Sequence, residues 1–248
     1  MAARMFLVLL LVAVAAQARD YCQFKCYNGQ VNFGCNHSGQ PAGSCVGFKR
    51  MNLGAAEQKF VLDEHNNYRS IVAKGQAKNA AGQNLPAAKN MNELVWDDDL
   101  AHLAYLNVLQ CKMSHDSCRD TGKYNNTHKK TQNGQNLFNS FTTASYSVEQ
   151  VLKQGVKSWF DEVKDVQLSE INSFTGGNGK VIGHFTQVAW AKSTRVGCAV
   201  VTYKHQQFNS YLMACNYVNG NMLRSSIYEA GSNCAGCGSC TSRGLCQQ

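Results

Sequence analysis

The chain lacks the short signatures that name a reaction. It has no His-Glu-x-x-His, which excludes the helix of a metalloprotease, and no Gly-x-Ser-x-Gly, which excludes a hydrolase nucleophile elbow. Its 12 cysteines are an even number, so none is left over as a free thiol nucleophile. No basic stripe interleaved with aromatics occurs, which removes nucleic acid as the expected partner. After residue 18 no apolar run reaches membrane-spanning length, so no transmembrane segment is expected. Proline occurs only twice, and the breaks away from Pro41 and Pro86 fall to Gly, Asn and Ser.

What is present fixes the compartment first. Arg4 gives a positive start, Met5 to Ala16 an apolar run, and Ala16-Gln17-Ala18 a small-x-small cleavage pattern, which together predict a secretory signal peptide over 1–18. Cleavage removes Arg4 and takes the formal net charge from +8 to +7. In an oxidising export route the cysteines read as a disulfide framework. The mature length suits one domain with extensions and buries a core without staples, so the cysteines clamp loops and tails. The basic balance favours acidic surfaces such as glycosaminoglycans or anionic lipid, yet the lysines are dispersed, with Lys129-Lys130 in a polar stretch. Asn36 and Asn125 head glycosylation sequons in polar, turn-rich sequence.

Along the chain, residues 19–54 form a cysteine-rich arm carrying Cys22, Cys26, Cys35 and Cys45. Residues 56–74 repeat apolar positions at three- and four-residue steps and predict a helix stopped by Gly75. Asp97 or Asp98 caps a second helix reaching Cys111, and a third runs from Ser147 to Val166. Residues 114–136 read as irregular and 167–183 as a long loop. The period then changes. Val196 to Tyr203 and Tyr211 to Val218 are strands joined as a hairpin through Lys204 to Asn209. Cys198 and Cys215 sit on its two arms, where a disulfide could tie them. Cys234, Cys237, Cys240 and Cys246 form a short cysteine-rich tail over 226–248. Helices first and strands later argue for an α+β layered fold.

Three chemistries compete for the candidate residues. His115 and His184 could hold zinc or copper, with a third ligand from Asp161 or Glu162. Cys111, His115 and Cys118 resemble a zinc half-site, although export favours oxidised cysteines there. Thr186 lies near His184, but sequence proximity makes no triad. Phe60, Tyr68, Trp159 and Phe160 could line a greasy groove, with core packing as the default.

Four segments in order carry a resemblance: His65-Asn66-x-x-Arg69, Gly134-Gln135-Asn136-Leu137, Gly183-His184-Phe185-Thr186-Gln187-Val188-Ala189-Trp190 and Ala214-Cys215-Asn216-Tyr217. They resemble the CAP superfamily of cysteine-rich secretory proteins, antigen 5 and pathogenesis-related proteins of class one, over residues 55–225. The arm beginning Asp20-Tyr21-Cys22 is similar to the insect antigen 5 branch of venom and saliva. The resemblance implies a three-layer α-β-α sandwich and disulfides Cys22–Cys35, Cys26–Cys118, Cys45–Cys111 and Cys198–Cys215. The four tail cysteines are left to pair among themselves. It also implies a cleft with two histidines, His115 and His184, and two glutamates, of which Glu162 is one. At the other glutamate position stands Gln135, a neutral, weak ligand that cannot act as a general base. No Arg-Gly-Asp tripeptide occurs, so the integrin-blocking loop of some blood-feeding-fly relatives is missing.

The resemblance therefore implies a secreted, monomeric, antigenic protein without enzymatic activity. It would bind a small hydrophobic mediator (lipid, eicosanoid or sterol) or a host extracellular protein, and so alter host haemostasis or inflammation. Two alternatives stand beside that expectation. One is a zinc- or copper-dependent enzyme or redox site on His115, His184 and Glu162; the other is a receptor or platelet ligand working through surface loops.

Overall fold

The computed structural model describes residues 19–26, 29–123 and 132–248. The expected signal peptide and the sequon at Asn125 lie outside them, whereas Asn36 is exposed in the arm.

One sheet organises the fold. Strand β1 (Lys49–Met51), β4 (Arg195–His205), β5 (Phe208–Tyr217) and β3 (Gly134–Thr142) lie side by side in that order, and β2 (Val95–Trp96) runs parallel to the start of β4. The central hairpin is tight, since His205 pairs with Phe208 and only Gln206 and Gln207 turn the chain. The expected six-residue connection is thus mostly strand. Alternate residues of β4 serve opposite layers. Val196, Cys198 and Val200 face one core, and Ala199, Val201 and Tyr203 face another. A strand buried on both faces reads as a continuous apolar run, as this one does.

Helix α2 (Asp98–Val108) covers one face through Ala104 and Val108. Asp97 caps it by accepting from the Leu100 amide, and Gly197 on β4 lets it approach, because a Cβ there would meet the backbone of Asp97 and Ala101. It ends three residues before Cys111, where φ turns positive at 47°. Helix α1 (Ala55–Ala73), α3 (Val148–Phe160) and α5 (Gly183–Val188) form the opposite layer, giving the α-β-α sandwich. Ser147 and Gln150 close a capping box on α3, worth about 1 kcal/mol. The expected third helix stops at Phe160 and tightens into a 3-10 turn over Asp161–Asp165. A short α4 (Leu168–Asn172) occupies part of the expected loop.

The buried centre of α1 is polar. His65 bonds the Val61 carbonyl and the Tyr217 hydroxyl, and Asn66 both donates to and accepts from the Leu94 backbone. Arg69, fully buried, donates to the carbonyls of Asn92, Val188, Trp190 and Ser193. Burial without partners would cost several kcal/mol, so this matching is what lets a polar motif sit in the core.

All twelve cysteines are bonded: Cys22–Cys35, Cys26–Cys118, Cys45–Cys111, Cys198–Cys215, Cys234–Cys240 and Cys237–Cys246. Cys26–Cys118 and Cys45–Cys111 close spans of 92 and 66 residues, for which loop entropy gives about 4 kcal/mol each. The tail packs inward, with Ile227, Tyr228 and Leu245 fully buried and Cys246 hydrogen-bonded to the Met91 backbone.

Candidate functional site

The cleft forms where four segments meet. His115 lies in the loop after α2, between Cys111 and Cys118, so a disulfide to the arm holds it on each side. Gln135 is the second residue of β3, opposite Asn216 of β5. Glu162 comes from the 3-10 turn after α3, and His184 from the first turn of α5.

On one side, His184 Nδ1 lies 2.6 Å from Glu162 Oε1, and the second carboxylate oxygen accepts the Phe185 amide at 2.9 Å. The His184 ring stacks on Trp159, with centroids 6.3 Å apart. Trp159 is itself fixed by donating to the Leu137 carbonyl, while Asn136 donates to the His184 carbonyl. Asn221 grips the start of α5 by donating to the Gly183 carbonyl and the Thr186 hydroxyl.

On the other side, His115 Nδ1 lies 2.7 Å from Gln135 Oε1. Gln135 Nε2 donates to Asp116 Oδ2 at 2.7 Å and to Asn216 Oδ1 at 2.9 Å. Asp116 is buried and also bonds Arg119 through Nε at 2.9 Å and Asn107 at 3.1 Å. This chain decides a tautomer. An ionised carboxylate only accepts, so the amide nitrogen must face Asp116 and the amide oxygen must face His115. Nδ1 therefore carries a proton, and in the neutral imidazole Nε2 is the bare nitrogen. His184 reaches the same state directly, by donating to Glu162.

A cleft of about 360 Å³ adjoins this second side, lined by His115, Arg119, Asn133, Gln135, Asn221 and Met222, among others. Gly134 and Gly220 let its walls close, because a side chain on Gly134 would strike Gln187 Oε1. Of the four expected site residues, His115 and Gln135 line this cleft, and the structure sets His115 on Gln135 and His184 on Glu162. Sequence reading missed Asp116, Arg119 and Asn221. The signal for the first two is their charge at i, i+3 within a polar loop.

As a metal cradle the site is sparse. Among the described residues no group of three or more His, Cys, Asp and Glu side chains converges. A catalytic zinc takes three protein ligands, a set these residues do not provide. The cysteines of the sequence half-site are in disulfides.

The model of the cysteine-rich secretory protein (CAP) family matches residues 62–217. The chain belongs to the CAP family. The α-β-α sandwich is thus that of a CAP protein. Venom allergen 5 of Vespula maculifrons is 35% identical over 213 residues, covering 85% of this chain and 98% of the relative. Venom allergen 5 of Rhynchium brunneum is 33% identical over 92% of this chain and 96% of its own length. The CAP domain is also similar to the crystal structure of NaASP2 with Zn2+, at TM-score 0.66 and 30% identity over 78% of this chain and 96% of that one. BmVAL-1 follows at TM-score 0.64 and 27% identity, over 79% and 96%.

Proposed function

We propose that this CAP protein is a secreted venom or salivary component that acts by binding a host extracellular molecule, without a catalytic step. Its relatives are venom allergens, and six disulfides with no free cysteine suit an oxidising, extracellular setting. The observation that carries the binding reading is Gln135. Its amide is spent on His115, Asp116 and Asn216, and the Asp116 carboxylate is buried, so this half of the cleft presents no carboxylate as a general base or anionic ligand. The occupant is taken to be a polar surface of a host protein rather than a lipid. The cleft walls are largely polar, and the apolar faces of α1 and α3 are turned on each other, with Tyr68 stacked on Phe160 at 4.2 Å and Trp159 buried.

Native mass spectrometry with organic extraction of the secreted protein tests this first. A protein free of lipid, whose binding to vertebrate plasma or platelet surfaces is lost in Met222→Asp, is the expected result. A stoichiometric lipid, eicosanoid or sterol overturns it in favour of mediator scavenging.

A second reading keeps zinc or copper at the cleft, held by Nε2 of His115 and His184. It is favoured by the hydrogen bonds on both Nδ1 atoms, the usual orienting contacts of metal-bound imidazoles. Stoichiometric metal that disappears in His115→Ala supports it, and a protein free of metal after dialysis against zinc and against copper rules it out.

A further inference from the structure

The disulfides fall into two sets that do not cross. Cys22, Cys26, Cys35, Cys45, Cys111 and Cys118 bond only to one another, and so do the six cysteines from Cys198 onward. No covalent bond other than the backbone joins the two halves across residues 119–197. Yet the sheet interleaves them. The β4–β5 hairpin of the second half is clasped by β1 and β2 on one edge and β3 on the other, all from the first half.

Within that undefended stretch lies an exposed loop ending at Lys180-Val181. Its base is fixed: the Thr175 amide donates to Glu170, Phe174 exchanges backbone bonds with Arg224 and Ser225, and Ile182 is fully buried. Its tip rests on Gly177, buried against Lys180 and Ile182, and is otherwise held by little. Gly176, Gly177, Asn178 and Gly179 all have positive φ, between 49° and 92°, and the Lys180 amide bonds only within the loop, to the Gly177 carbonyl. Val181 is 68% exposed, and Lys180 is exposed without an ion pair among the described residues. Such a tip opens at low free-energy cost into the extended form a protease cleft accepts. Two loop cations that follow it are more firmly placed: the Lys192 carbonyl accepts from Asn219, and the Arg224 amide donates to Phe174.

We propose that Lys180–Val181 is a cleavage site for trypsin-class serine proteases, and that the cut converts the single chain into two chains held by packing alone. An exposed lysine suits the aspartate-floored primary pocket of that class. Hydrolysis adds one water across the peptide bond, leaving a carboxylate on Lys180 and an ammonium on Val181. The new terminus lies two residues ahead of α5, so the cut unties the segment that carries His184 from its upstream anchor.

The test is limited digestion of the secreted, oxidised protein with a trace of trypsin, followed by denaturing gels with and without reductant and by terminal sequencing. Expected are two fragments that separate without reductant, a new terminus at Val181, and co-elution of both pieces on native size exclusion. Lys180→Gln abolishes that terminus and Lys180→Arg retains it. A first cut elsewhere that leaves 180–181 intact overturns the proposal, as do fragments that stay joined until reductant is added.

Discussion

The two histidines of the cleft make the same hydrogen bond to different partners. His184 donates to a carboxylate, Glu162, whereas His115 donates to an amide, Gln135, with the carboxylate of Asp116 one bond further back. Both rings end in the same tautomer, so tautomer control does not require an acid in contact. What differs is charge at the cleft. On the His184 side a negative group touches the ring, and on the His115 side the negative group is buried and shared with Arg119. The comparison teaches that Gln135 is not a simple loss of an acid but the member of a network that suits an amide.

The strongest way to break the comparison is Asp116→Ala. It leaves the buried Arg119 guanidinium with only the carbonyls of Asn133 and Asp116, and removes the group that orients Gln135. Losing one partner of a buried ion pair costs about 3–5 kcal/mol, read as a lower urea midpoint. A loss below about 1 kcal/mol would show that backbone contacts alone hold that half.

An acid titration sharpens the contrast on the other side, because Trp159 separates His184 from a third histidine, His65, with ring centroids 6.3 and 6.2 Å away. Burial, with a smaller push from Arg69, lowers the His65 pKa from 6.5 to about 4, against the opposing Val61 bond. Between those values the unfolded chain binds the extra proton, so stability falls as pH drops from 6.5 towards 4 and is fully present above 6.5. The slope from this residue is roughly 1.4 kcal/mol per pH unit within that window. Urea midpoints across it should fall less steeply in His65→Gln than in the parent.

Gln135→Glu tests the amide directly. The new carboxylate would face Asp116 and the Asn216 oxygen at the distances where an amide now donates. It should destabilise by about 1–3 kcal/mol at pH 7, with the penalty fading as pH falls towards about 4.3, because the folded form takes up the proton first. Unchanged stability in this variant would break the argument that Asp116 dictates an amide.

Much of this geometry was legible in the chain, and the failures have physical causes. The central hairpin announced itself through β-branched and aromatic runs, because both its faces are buried. Strand β3 did not. Gly134-Gln135-Asn136 and Asn139-Ser140 are polar, since their side chains serve the cleft and the β5 neighbour Ser210, so no apolar alternation marks the strand. Helix α5 is only six residues long and carries no side-chain cap, too little for a periodic signal. The two histidines stood out from their setting, with Asp161 or Glu162 as a third candidate, and the resemblance narrowed the acid to Glu162. Asp116 was not found, because its role depends on a contact with residue 135 that spacing does not encode.

The smallest expected effect is the most informative about the His184 side. In Glu162→Gln one side-chain oxygen replaces two, while two donors, His184 Nδ1 and the Phe185 amide, still point at it. The backbone amide cannot give up its proton, so the oxygen stays with Phe185 and the new NH2 turns towards His184. The ring then accepts at Nδ1 and carries its proton on Nε2, the reverse of the parent. Exchanging a charge-assisted bond for a neutral one should cost about 1 kcal/mol of stability. The tautomer change should be plain in imidazole 15N chemical shifts, with His115 unaltered. If His184 kept its proton on Nδ1 in this variant, the equivalence of the two sides would rest on something other than their hydrogen-bond partners.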